Sequence, residues 1–106
     1  MARQSLGEFE QLVLLALLQI GEETYGVRIV EEIERRTGRG VVRAAVYVAL
    51  RRLEQKGLVR VRLEGAGESR GKPRSMVRIE AEALERLRQS RRALTRMWSG
   101  LDAVLG

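Results

Sequence analysis

The residues able to do chemistry in this chain are mostly cationic, and they are concentrated in one place. Residues 43–78 hold ten Lys and Arg against three acidic side chains, whereas residues 1–42 hold five against seven and residues 79–106 five against four. Inside the middle stretch stand Arg43, Tyr47 and Arg51, followed by the run Arg70-Gly71-Lys72-Pro73-Arg74. Guanidinium and ammonium groups at this density seat phosphates and other anions. The net charge of +6 and a pI near 10.9 point the same way, towards nucleic acid or a lipid surface. All the basic residues but Lys56 and Lys72 are arginine, which phosphate recognition, a hot habitat and a GC-rich genome each explain.

Other chemistry is thinly supplied. There is no cysteine and no histidine, and Asp102 is the single aspartate. Disulfides, thiolate or imidazole metal sites and the common catalytic bases are therefore absent, so neither an enzyme nor a required cofactor is expected. The apolar run Leu12–Leu18 is too short to span a bilayer and follows acidic Glu8 and Glu10, so no signal peptide or membrane anchor is expected and the chain reads as cytoplasmic.

The elements that must position the cations follow from periodicity. A first helix is expected from Ser5, which has capping-box spacing to Glu8, to near Gly21; its apolar residues surround it, as on a helix buried on more than one side. A second runs from Thr24, as N-cap, to Thr37, and the glycines after it make a turn. A third, from about Arg43 to Lys56, puts Val46, Ala49, Leu50 and Leu53 in one apolar arc and Ala44, Tyr47, Val48, Arg51 and Gln55 across from it. Leu58–Leu63 and Met76–Ile79 alternate apolar and polar residues, as a hairpin with an extended tip does. From Glu80 to Leu105 one long helix is expected, its seam running through Leu84, Leu87, Arg91, Leu94, Trp98, Leu101 and Leu105 at alternating steps of three and four.

The expected fold is thus mainly α with a small β-hairpin. Three helices and a basic hairpin over residues 1–79 are the order of a winged helix-turn-helix, with the recognition helix at about 43–56 and the wing at about 58–79; residues 80–106 supply a dimerisation helix. On the recognition helix Ala44 and Ala45 allow close approach of the backbone, Arg51 can reach guanine, Tyr47 and Arg43 can reach phosphate, and Val48 lies on the same outer face. Arg70, Lys72 and Arg74 follow phosphates or enter the minor groove, or form a solvated loop. Arg91 sets the register of the seam or extends to solvent; Trp98 packs in the core or, paired across a two-fold axis, sandwiches a planar apolar ligand.

The chain also resembles the PadR family of bacterial transcriptional regulators over nearly its full length. The likeness is carried by Leu6-Gly7-Glu8-Phe9-Glu10 with Leu12–Leu18, by Thr24-Tyr25-Gly26-Val27, by Ala45-Val46-Tyr47 with Leu50, by Arg52-Leu53-Glu54 and by Lys56-Gly57-Leu58-Val59. The single C-terminal helix resembles the short subfamily, which implies a dimer formed through that helix and the first one and, for some members, release of DNA on binding aromatic compounds. Val42, Ala44 and Ala49 depart from the Ser, Gly and Thr frequent in the family, and Met76-Val77-Arg78-Ile79-Glu80 departs from its Tyr-Tyr-Arg-Leu-Thr.

The resulting expectation is a homodimeric repressor on a pseudo-palindromic duplex DNA operator, relieved by a small aromatic ligand. The alternatives are a dimeric winged-helix adaptor for protein or RNA, and a small-molecule sensor with degenerate DNA contacts.

Overall fold

In the computed structural model, which describes residues 5–65 and 73–106, the first helix α1 (Glu8–Ile20) starts later than Ser5. Gly7 is the cap, and its N–H donates to Glu10 Oε1 at 2.9 Å. Glu10 wins over Glu8 as the capping carboxylate because Lys56 Nζ holds it from the other side, at 2.9 and 3.0 Å, while also donating to the Ser5 carbonyl at 3.1 Å. Thr24 does not cap the second helix either. Thr24–Tyr25 form a short strand, β1, and α2 (Gly26–Thr37) begins immediately after it.

Helix α3 (Arg43–Gln55) buries Val46, Ala49, Leu50 and Leu53, the arc its 3.6-residue period requires. Val42 stands at its cap with no side-chain bond. Strands β2 (Val59–Glu64) and β3 (Arg74–Ile79) pair antiparallel from Val59 opposite Ile79 to Glu64 opposite Arg74. The sheet has one strand more than a hairpin, in the order β1-β3-β2, because Thr24 and Tyr25 pair with Val77 and Met76 on the other edge of β3.

The core is built from Val13, Leu14 and Leu17 of α1, Ile29 and Ile33 of α2, the α3 arc, and Leu58 and Val77 of the sheet. Each large side chain removed from water there contributes about 1.5–3 kcal/mol. Helix α4 (Ala81–Trp98) joins this core through fully buried Ala83. Ser90 Oγ also donates to Gln11 Oε1 on α1 at 2.9 Å. From Arg91 onward every side chain is exposed.

The C-terminal helix is not continuous to Leu105. It ends at Trp98, Gly100 takes a left-handed φ of 83°, and a short turn of helix, α5, follows (Asp102–Leu105). A side chain at that φ would be strained, so the Ser99-Gly100 step ends the helix that the heptad spacing alone would continue. Leu101 and Leu105 therefore lie beyond the seam rather than on it. Among the described residues no helix is long and apolar enough to cross a membrane.

Candidate nucleic-acid interface

The outer face of α3 is open. Arg43, Ala44, Ala45, Tyr47, Val48 and Arg51 are all exposed, and among the described residues Arg43 and Arg51 make no ion pair. Small side chains at 44 and 45 leave room for close approach, and the two guanidiniums keep their donors free for an incoming acceptor.

The helix is held in place at both ends. At its C-terminal end the nearly buried Lys56–Glu10 pair ties it to the start of α1. Burial raises the Glu10 carboxyl, but the hydrogen bonds from Lys56 and Gly7 and the charges of Lys56 and Arg52 outweigh it, so the group sits below its ordinary value. Nearer the N-terminal end, the Tyr47 ring lies against the first residue of α2. A Cβ on Gly26 would fall 2.8 Å from the Tyr47 hydroxyl oxygen, so only glycine permits this approach.

The wing root closes the other side of the same cleft. Arg74 places its guanidinium carbon 4.0 Å from the centroid of the Tyr25 ring. Tyr25, Gly26, Val27, Tyr47, Pro73, Arg74 and Ser75 together line a cavity of about 300 Å³. Arg70 and Lys72 lie outside the described residues. Two other arginines of the sheet are engaged by carboxylates, Arg62 with Glu23 at 2.6 Å and Glu64 at 2.8 Å and Arg60 with Glu80 at 2.9 Å, while exposed Arg78 beside them makes no ion pair among the described residues. The hydrogen bond from Arg62 lowers the Glu23 carboxyl and its counterpart raises the guanidinium. Among the described residues, the basic charge of the sheet and α3 therefore divides between the carboxylate-paired Arg60 and Arg62 and unpaired arginines that include Arg43, Arg51, Arg74 and Arg78.

A second surface lies between α1 and α4. Leu15, Leu18, Leu84, Leu87, Leu94 and Trp98, with Gln11, Arg88, Arg91 and Thr95, line a groove of about 460 Å³. Leu15 and Leu18 remain 44% and 41% exposed and Trp98 55%, so the second apolar side of α1 is not covered within the chain. Arg91 and Trp98 both line this groove; Leu101 and Leu105 do not.

The sequence profile of the transcriptional regulator PadR-like family matches residues 14–89. The chain belongs to this family. Among solved structures, a PadR family regulator from Eggerthella lenta is 29% identical, with 92% of this chain and 86% of that one covered and a TM-score of 0.70. A transcriptional regulator from Clostridium thermocellum (19% identical, 92% of each chain, TM-score 0.74) and a PadR-like regulator from Bacillus cereus (22%, 92% and 90%, TM-score 0.70) share the fold. No curated protein matches the chain. Membership of the PadR family makes the chain a DNA-binding transcriptional regulator and not an enzyme.

Tyr25 and Gly26 were not among the residues that sequence reasoning singled out for binding. Their signal was present as an aromatic-glycine step at the start of a PadR-like second helix, but nothing local tells that this step faces Tyr47 and Arg74.

Proposed function

We propose that this PadR-family protein is a homodimeric repressor that reads a pseudo-palindromic operator with the outer face of α3 and follows the adjoining backbone with its wing. The observation that carries this reading is the pairing of small residues and uncompensated arginines on α3 with the cationic wing root beside it. Arg51 reads a base edge in the major groove; Arg43, Tyr47 and Arg74 take phosphates, as do Arg70 and Lys72 at the tip. The half-covered groove between α1 and α4 supports the dimer, since α4 of a second copy covers Leu15, Leu18, Leu94 and Trp98 and brings two recognition helices to one duplex.

With about four phosphates neutralised per protomer, the logarithm of the affinity falls against that of salt with a slope of roughly −7. Footprinting on the DNA flanking the protein's own gene, repeated over a salt series, tests the reading. A slope shallower than about −2 overturns it.

Relief of repression by a planar aromatic ligand belongs to the same proposal. Trp98 and Arg91 share an apolar groove, and an indole face with a cation beside it suits a planar ring carrying a negative charge or a phenolic oxygen. Quenching of the single tryptophan by such compounds, followed by operator binding with each one that quenches, tests it. Absence of quenching across the series removes the ligand from the proposal.

A further inference from the structure

Arg74 is placed as a cation waiting for an anion, and its placement depends on one aromatic ring. Its direct partner across the sheet is Glu64, which would ordinarily neutralise it. That carboxylate is taken by Arg62 at 2.8 Å, and Arg62 binds Glu23 as well. Arg74 instead lies over Tyr25, which pairs with Met76 and so stands diagonally opposite Arg74 on the same face of the sheet. Contact with the face of a ring steadies a guanidinium without using its N–H donors, whereas a carboxylate pair consumes them.

The cleft below this pair is chemically one-sided. Among the described residues Arg74 is the only charged one lining it and no carboxylate does, while Tyr47 and Ser75 add hydroxyls. One guanidinium with neutral donors beside it matches a phosphodiester, which has a single charge and two non-bridging oxygens. The position agrees as well. The cleft separates α3, the major-groove element of this architecture, from the wing, which meets a minor groove, and the feature of duplex DNA between two grooves is a sugar-phosphate backbone.

We propose that Tyr25 is a positioning residue for DNA binding, which holds the Arg74 guanidinium in the cleft between α2, α3 and the wing so that it meets a backbone phosphate. This assignment rests on the DNA-binding reading above. It adds a residue that touches neither base nor phosphate through its ring and acts through Arg74.

The test is binding of the full chain to a random-sequence duplex over a salt series, since a phosphate contact weakens all sequences alike. Tyr25→Leu is expected to weaken binding about two- to fivefold per cleft, the loss of one exposed cation–π contact. Tyr25→Phe keeps the ring and is expected to bind as the parent does. Arg74→Gln is expected to lower the magnitude of the salt slope by about 0.9 per contact, and in that background Tyr25→Leu is expected to add nothing. Equal losses for Phe and Leu at position 25, or a Leu effect that persists with Gln at 74, overturn the assignment. Should Tyr25→Leu loosen β1, the pair Arg74→Gln and Arg74→Lys still decides: Lys is expected to keep most of the affinity that Gln loses, and a Gln variant with the parental slope overturns the proposal. If the parent protein shows no salt-dependent duplex binding, the DNA-binding reading itself falls. Parental binding unchanged in every variant refutes the Arg74 contact together with the role of Tyr25, and leaves DNA binding through α3 standing.

Discussion

Lys56→Met removes the cation that ties the start of α1 to the end of α3. Glu10, only 7% exposed, then keeps a single donor, the Gly7 N–H at 2.9 Å. Its carboxylate must either stay ionised with only the charge of Arg52 nearby or take up a proton. Uptake at pH 7 by a carboxyl of ordinary value 4.5 costs about 1.36 kcal/mol per pH unit, which sets a ceiling of about 3.4 kcal/mol. Residual solvent contact recovers part of this, so a loss of about 2–3 kcal/mol is expected. The sign of the pH dependence follows from the native pair. A carboxyl held below 4.5 contributes stability that is complete above that pH and is lost as pH falls through the lower folded value. The gap between parent and variant should therefore be full at pH 7 and shrink as the pH falls below 4.5 and on through the lower folded value. Urea unfolding followed by far-ultraviolet circular dichroism measures it, at one fixed protomer concentration because dimer stability depends on concentration. A Glu10→Leu, Lys56→Met double variant should recover most of the loss. A loss under about 1 kcal/mol at pH 7, or one equally large at acid pH, refutes the view that this pair anchors α3.

Three further outcomes are expected. Gly26→Ala forces the Tyr47 ring to move from a contact of 2.8 Å, and because that ring is partly exposed it swings outward; stability should fall by about 1 kcal/mol while duplex affinity drops, and unchanged affinity would mean that the Tyr47 position is immaterial. Leu94→Glu puts a charge into the groove between α1 and α4 and should give a monomer in sedimentation with operator binding lost; a variant that remains dimeric and fully active contradicts the proposed interface. Arg51→Ala should relax base preference at one position of each half-site and cost about 1–3 kcal/mol, read by binding to a set of single-base operator variants; an unaltered preference removes Arg51 from the groove.

What the sequence determined by itself is whatever depends on near neighbours along the chain. The buried arc Val46, Ala49, Leu50 and Leu53 follows from helical period, the strand faces of β2 and β3 from alternation, and the concentration of cations in residues 43–78 from simple counting. The exposed second side of α1 was legible for the same reason, in Leu15 and Leu18. Tertiary structure decided the rest. The strand β1 is too short to have a period and exists only because β3, some fifty residues later, offers a free edge. The cap of α1 moved from Ser5 to Gly7 because Lys56, distant in sequence, holds Glu10 in the capping position. The division of the basic charge was equally hidden, since the arginines look alike in sequence while, among the described residues, Arg60 and Arg62 pair with carboxylates and Arg74 does not. Period and composition act through local geometry, but a strand edge, a capping carboxylate and a free guanidinium are each settled by competition among groups that only folding brings within bonding distance.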